Sequence, residues 1–527
     1  MVASLLRVLH SGIQNSRLLP PKGNPTIELY SKVFIRAGRF TTQLVRLDFD
    51  KLPALGTSAV LTIPRKGHLL TRLYLVTTMP DIYTAQANAI KVAEAAGVTF
   101  AGPYFDWTNS LGNALISNAT VEIGGARVEQ MDGRLLEVLD EFYTPLEKVQ
   151  LANDLLQRDS STFSTNYTDY AARPSPFFSG EARSPAITPL PFWFSRGDPG
   201  VALPIDALTA DPVKVTITFN PLNSLYVSSA KNPVTATQSL VAGAGYFPLL
   251  SSPFWYIDPA GNPVPGITGT GTTTRCSRLD TPSMPPSLTL GDTYMMAEYV
   301  YLDKPEANRF RIADIQVPVT QHYPFDPFDT KGTPRAYMPL KIPNPTRNIL
   351  FYAQRYEATM YNAPFLCTRD LSGGTALEAP WWPNASATVV FGGGPPSPLV
   401  PGFQFRDSEP IQTILFEYEG KLIRYATRQA AIFRSLLPAY EMKKSPWVNR
   451  YMYSLHFGLN HGHLPPSQPC GEANLDKVFS MSLQLEFKPF RGSIRADQVP
   501  RYLVYVWAET YNILRVYAGR GGLMFGY

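Results

Sequence analysis

Residues 189–207 read PLPFWFSRGDPGVALPIDA. An aromatic run, Phe192, Trp193 and Phe194, precedes a polar turn cluster from Ser195 to Gly200. An aliphatic run, Val201, Ala202 and Leu203, then stops at Pro204. No helical spacing links these side chains. Short apolar runs bounded by turn residues read as strands buried on both faces. The stretch therefore predicts two core strands joined at a sheet corner, with Phe192, Trp193, Phe194, Val201 and Leu203 as buried core. Residues 212–219, PVKVTITF, follow at once. They place Val213, Val215, Ile217 and Phe219 on one face and Lys214, Thr216 and Thr218 on the other, the period of a half-buried strand.

Working outward, 527 residues exceed what one simple core accommodates and suit two or three domains. Proline at 49 residues is near twice its usual share of about 5%. Because proline is excluded from helix interiors and central strands, short strands between long loops are expected. Charged residues are 17% against a usual share of about 25%, and aromatics 12%. Such a surface suits a subunit that buries much of its outside against copies of itself. The net charge of +5 is mild, and no Lys/Arg block marks a nucleic-acid-binding tail. Cys276, Cys367 and Cys470 are far apart and odd in number, which argues against a disulfide framework and for synthesis in a reducing compartment. No apolar run reaches the roughly 20 residues that span a bilayer.

Along the chain, residues 3–19 carry an amphipathic pattern (Leu5, Leu6, Leu9, Ile13), read as an N-terminal arm within residues 1–26. Alternation predicts strands at 26–35 and 42–49. Residues 59–64 and 69–77, separated by Arg65-Lys66-Gly67, read as a hairpin. The Ala-rich residues 85–97 predict a short helix. Residues 118–123, Gly124-Gly125 and 126–129 form the strongest hairpin signal. Asp132 then caps a helix with Leu135, Leu136, Leu139 and Phe142 on one face, and 147–157 is a second helical stretch. Residues 223–290, rich in Pro, Gly, Thr and Ser, read as a long excursion before the strand at 293–302 that completes the first domain. A charged, loop-like stretch at 303–313 marks the boundary. Strands follow at 315–320, 348–355, 413–418, 450–458, 478–487 and 502–516, with a Gly/Pro-rich excursion at 370–402. Two successive all-β halves result, without a residue-level repeat.

Each candidate for chemistry has a plainer structural reading. His456, His461, His463 and Cys470 could ligate a metal, yet only His461-Gly462-His463 has ligand spacing and the segment reads as a polar loop. Residues 391–396, FGGGPP, lack the Lys-Ser/Thr of a phosphate cradle. Arg196-Gly197-Asp198 is a cell-adhesion tripeptide, but Pro199-Gly200 beside it makes it a turn. Sequons start at Asn118, Asn166 and Asn384. Asn118 opens a strand, which leaves Asn166 and Asn384 as candidate glycosylation sites. Asp326 with Asp329, and Glu417 with Glu419, are carboxylate pairs of the kind glycan hydrolysis uses, and such pairs are also common on solvated strands. Trp381-Trp382, between prolines, are candidate exposed loop aromatics that could stack on sugars or anchor the loop. No catalytic, cofactor-binding or metal residue is assigned.

Several segments, in order, resemble the major capsid proteins of nucleocytoplasmic large DNA viruses, the iridovirus and algal-virus lineage. They are Asn24-Pro-Thr-Ile with Lys32–Arg36, Ile63–Leu70, Val121–Val128 with its following helix, Pro189–Ala207, Glu298–Asp303 with Arg309-Phe310, Ala426-Thr-Arg428, and Tyr511–Val516 with Gly519 and Gly521–Leu523. The long 223–290 excursion and Leu464–Lys477 depart from the family pattern. The resemblance implies an all-β fold of two consecutive eight-stranded antiparallel jelly rolls with a few short helices: residues 27–303, a linker at 304–315, and 316–527. It implies a non-enzymatic, cofactor-free shell protein that forms a homotrimeric, pseudo-hexagonal capsomer. The expected partners are neighbouring capsomers, minor capsid proteins and, through the N-terminal arm, an internal viral membrane, with no direct nucleic-acid contact. The expected setting is the virion shell, built in the host cytoplasm. Two other classes compete: a β-sandwich carbohydrate-binding surface protein, resting on the aromatics and sequons, and a glycan-cleaving enzyme.

Overall fold

Burial along Val213–Phe219 alternates as its chemistry does: Val213, Val215, Ile217 and Phe219 are buried, and the residues between them are exposed or half-buried. This strand lies inside a sheet, between Ser58–Thr62 and Ile116–Ile123. The structure is a computed structural model. It describes residues 39–80, 104–158 (without 109), 185–231, 246–249, 289–356, 364–369 (without 366), 409–418, 422–423, 428–446, 450–489 (without 461 and 463–467) and 499–526.

The first sandwich uses β1 (Phe40–Leu47), β2 (Ser58–Thr62), β3 (Leu69–Thr77), β4 (Ile116–Ile123), β5 (Ala126–Met131), β6 (Ala186–Pro189), β7 (Val213–Phe219) and β8 (Thr293–Leu302). They form two four-stranded sheets, ordered β1-β8-β3-β6 and β2-β7-β4-β5. The second uses β9 (Ile315–Pro324), β10 (Arg335–Leu340), β11 (Pro345–Arg355), β12 (Ile411–Tyr418), β13 (Leu422–Ile423), β14 (Met452–His456), β15 (Met481–Phe487) and β16 (Tyr502–Tyr517). Its sheets run β9-β16-β11-β14 and β10-β15-β12-β13. Adding eight to each strand number of the first sandwich gives the second. This is the double jelly-roll fold, with one topology used twice.

Helices sit in the connections: α1 (Leu111–Ala114), α2 (Gly133–Tyr143), α3 (Val149–Leu155), α4 (Lys304–Ile312) and α5 (Leu437–Glu441). Asp132 Oδ1 accepts from the Leu135 amide at 2.9 Å and caps α2, whose Leu135, Leu136, Leu139 and Phe142 are buried. Gly124 and Gly125 take φ of 59° and 86° in the β4–β5 turn, conformations that a Cβ resists.

Four sequence readings need correction. Residues 59–77 are not a hairpin: β2 pairs with β7 and β3 with β8, so Arg65-Lys66-Gly67 carries the chain from one sheet to the other. Residues 189–207 hold no strand pair. Trp193–Ser195 and Pro199–Val201 are single 3-10 turns, and Leu203 makes one isolated bridge, to Leu70. Prolines 191, 199 and 204 have no amide to give a ladder, and Gly197 turns the chain at φ 89°. The boundary stretch is a helix, α4, started by Asp303 with a proline in its first turn and buried only at Ala307. Residues 223–290 include the strands Tyr226–Lys231 and Tyr246–Leu249, which join Tyr104–Trp107 in a three-stranded sheet. The predicted strand at 26–35 and helix at 85–97, together with the 370–402 excursion, lie outside the described residues.

Candidate functional site at the joint between the sandwiches

β11 and β16 are buried along almost their whole length. A sheet with one solvated face alternates; a run buried throughout is covered on both sides. One face of these strands, with Ile349, Phe351, Val504 and Val506, belongs to the core of the second sandwich. The other face carries Asn348, Leu350, Tyr352 and Gln354, registered against Glu509, Trp507, Tyr505 and Leu503. Residues of the first sandwich reach this second face. Arg134 lies 4.5 Å over the Tyr505 ring, and its Nε donates to Gln354 at 3.3 Å.

Two ion clusters complete the joint. In one, Arg196 sits between the sandwiches. Its Nη2 donates to Glu129 Oε1 at 3.0 Å and approaches His322 Nδ1 at 3.1 Å, and its Nη1 donates to Glu509 Oε1 at 3.1 Å. Its Nε donates to the Pro191 carbonyl at 2.9 Å, which ties the guanidinium to its own turn. Glu129 Oε2 also accepts the Trp193 amide at 2.9 Å, and Tyr143 Oη donates to Glu509 Oε2 at 3.0 Å. Burial and the neighbouring Glu509 charge push the Tyr143 hydroxyl well above its ordinary range.

In the other, α2 aims Glu137, Asp140 and Glu141 at arginines and a lysine. Glu137 accepts from Asn113 Nδ2 at 2.7 Å, Arg158 Nη2 at 2.6 Å, Ser110 Oγ at 3.0 Å, and Arg450 Nη2 of the second sandwich. Arg158 also pairs with Asp140 at 2.5 Å, and Lys444 with Glu141 at 3.4 Å. Burial would raise the Glu137 carboxyl, but Arg158, Arg450 and the Asn113 bond outweigh it and hold it at about 2. Between the clusters lies a cavity of about 520 Å³, lined by residues that include Arg196, Arg347, Lys443, Asp140 and Glu509. These groups join the two sandwiches through buried ion pairs and hydrogen bonds.

Two family matches fall one on each sandwich, the first ending before β8. Residues 28–257 match the family described as "Major capsid protein N-terminus". Residues 311–522 match "Large eukaryotic DNA virus major capsid protein". The chain belongs to the major capsid proteins of large eukaryotic DNA viruses. The major capsid protein of Phaeocystis pouchetii virus is 22% identical over the full length of both chains. Probable capsid protein 4 of Acanthamoeba polyphaga mimivirus is 24% identical over 46% of this chain and only 42% of its own length. The major capsid protein of Pyramimonas orientalis virus is 28% identical over 42% of this chain and 47% of its own. Among solved structures, the PBCV-1 virus capsid superposes with a TM-score of 0.61 at 16% identity, covering 94% of this chain and 100% of that one. The Faustovirus major capsid protein does so at 0.55 and 12% identity, with 93% of each chain covered.

Within this capsid fold, the residues singled out from sequence fall as follows. Phe192 and Phe194 stack at 6.0 Å, Trp193 meets Phe194 edge-on at 4.9 Å, and all three are buried with Val201 and Leu203 in the core. The arginine of Arg196-Gly197-Asp198 is spent on the joint, and Asp198 caps the next turn through the Gly200 amide at 2.8 Å. His456 is bonded to Ser454 Oγ at 2.8 Å, whereas Cys470 Sγ lies 3.4 Å from Tyr511 Oη, and among the described residues no three metal-ligating side chains converge. Asp329 pairs with Arg501 while Asp326 is exposed, and Glu417 accepts from Gln484. Asn166, Asn384, Trp381, Trp382, His461, His463 and Glu419 lie outside the described residues. Sequence reasoning missed the joint itself. Its signal was in β11 and β16, where Asn348, Gln354, Glu509 and Asn512 interrupt runs too apolar for a solvated face.

Proposed function

We propose that three copies of this major capsid protein associate into a pseudo-hexagonal capsomer, and that capsomers tile an icosahedral shell. The observation that carries the reading is the repeated strand order of the two sandwiches. Two bodies of one topology per chain give three copies six similar corners, which a shell of hexagonally packed units needs. Heterologous contacts that close after three steps make the capsomer, and further contacts join capsomers. Exposed apolar side chains such as Leu52, Ile312, Tyr440 and Phe479 supply contact surface. The two jelly rolls act as two domains, joined through α4.

On this reading the N-terminal arm and the jelly-roll bases face minor capsid proteins and an internal membrane, assembly takes place in the host cytoplasm, and the chain needs no cofactor and catalyses nothing. Asn166 and Asn384, read from the sequence as loop positions, are candidate carbohydrate acceptors. Light scattering on the purified protein tests the reading: the expected particle has three times the 58.4 kDa chain mass and a hexagonal outline by negative-stain microscopy. A stable monomer at micromolar concentration would overturn it, and glycan binding by that monomer would move the assignment to a carbohydrate-binding sandwich.

A further inference from the structure

We infer that residues 518–526 form a clasp that couples the two jelly rolls, acting beside the buried ion clusters of the joint. After β16 the chain turns at Ala518-Gly519 and runs back as Arg520–Leu523, paired with Leu514–Tyr517. The turn reaches the first jelly roll. Gly519 O accepts from the amides of Ala210 at 2.9 Å and Asp211 at 3.3 Å. The bond is returned by the Gly521 amide, which donates to Asp211 Oδ2 at 3.1 Å.

The approach is close enough to require glycine. A Cβ on Gly521 would stand 2.8 Å from Leu208 Cδ2 and 2.9 Å from Ile123 Cγ2. One on Gly519, at φ 81°, would strike Thr209 Oγ1. The following residues are tied to the second jelly roll. The Met524 amide donates to Ile513 O at 2.9 Å, the Phe525 amide to Asn512 Oδ1 at 3.1 Å, and Asn344 Nδ2 to Gly526 O at 2.8 Å. Asn512 Nδ2 in turn reaches Gln321 Oε1 at 2.8 Å, and Gln321 Nε2 donates to the Val128 carbonyl of the first roll. One short segment is thus bonded on one side to Ala210–Asp211 and on the other to the sheet that carries the joint. A chain that lacks it would keep both sandwiches but not these bonds between them.

The test is differential scanning calorimetry of the full-length protein and three variants: Asp211→Ala, Gly521→Val and Gly522→Ala. Gly522 is the control on the same strand, because a Cβ there meets nothing within 4 Å. Wild type and Gly522→Ala are expected to unfold in one transition. Asp211→Ala and Gly521→Val are expected to split it in two, with at least a several-fold faster proteolytic cut between Asp303 and Asp314. A single transition in Asp211→Ala, shifted or not, overturns the inference, because the segment would then support overall stability without coupling the rolls. Scans at two protein concentrations separate subunit dissociation, which moves with concentration, from uncoupling of the rolls within one chain.

Discussion

Replacing Glu137 by glutamine is the sharpest perturbation of the joint. The side chain is fully buried, and its carboxylate meets Arg158 within its own jelly roll and Arg450 in the other. Its carboxyl is held at about 2 against an ordinary value of 4.5. At about 1.4 kcal/mol per pKa unit, that depression corresponds to roughly 3 kcal/mol of folding stability at neutral pH. A carboxyl depressed on folding contributes fully above its unfolded value, and the contribution is lost as pH falls through the folded value. The loss should therefore spread between about pH 4.5 and 2. Glu137→Gln should cost about 3–5 kcal/mol at pH 7, because the buried Arg158 and Arg450 lose the carboxylate they share and keep only Asp140 and Glu141. It should also flatten the acid limb of the stability profile. Urea titrations at pH 7, 5, 4 and 3 measure both effects. Adding Arg450→Met to Glu137→Gln should recover part of the loss, since it removes one of those two charges, and the cycle gives the coupling. A Glu137→Gln protein within 1 kcal/mol of wild type at pH 7, or one with the wild-type acid slope, would refute the reasoning.

Other outcomes follow from the same geometry. Trp193→Ala removes a buried indole packed edge-on against Phe194 and should cost about 3–5 kcal/mol, read as a collapse of soluble yield at 37 °C; normal yield would contradict the packing. Arg196→Ala should destabilise by about 3–5 kcal/mol, because Glu129 and Glu509 stay buried, while soluble Arg-Gly-Asp peptide should leave cell attachment of assembled particles unchanged. Gly133→Ala normally favours a helix by about 1 kcal/mol, but here the new methyl would strike the Asn113 carbonyl and lie 2.5 Å from the Ile116 carbonyl, so the melting temperature should fall.

Much of the first jelly roll was legible because local chemistry and final environment agree there. The alternation of β7, the glycine pair before β5 and the Asp132 cap each act within a few residues. Residues 189–207 were misread for a physical reason: an apolar run announces burial, not the backbone that achieves it. Phe192, Trp193 and Phe194 are as buried in a 3-10 turn as they would be in a strand, and the prolines that forbid a ladder were the discriminating signal. The crossover at Arg65-Lys66-Gly67 was illegible because a turn's residues do not say which sheet receives the next strand. Helix α4 did carry signals, Asp303, Pro305 and Glu306, but with Ala307 as its one buried residue it has no apolar face to read. The joint was hidden by distance: Glu137 and Arg450 are 313 residues apart, as are Arg196 and Glu509.

The polarity of the joint follows from what a shell subunit must do. An apolar seam between two sandwiches would be stable over a range of angles, since burial of area is indifferent to small rotations. Charged groups taken out of water give up hydration and are repaid only in one hydrogen-bonded geometry, so the joint adds specificity more than raw stability. Arg196, with its five planar donors, fits that role better than a lysine would, because it can bond to Glu129, Glu509 and Pro191 O together only at one relative placement of the rolls. Arg196→Lys therefore separates the two contributions. It keeps the charge and should retain most of the stability, yet it should broaden the angle between the rolls. Capsomers of that variant should assemble with more defective facets by cryo-electron microscopy, although the monomer fold is intact by circular dichroism. Facets as regular as wild type would mean that the Arg196 guanidinium does not set the angle.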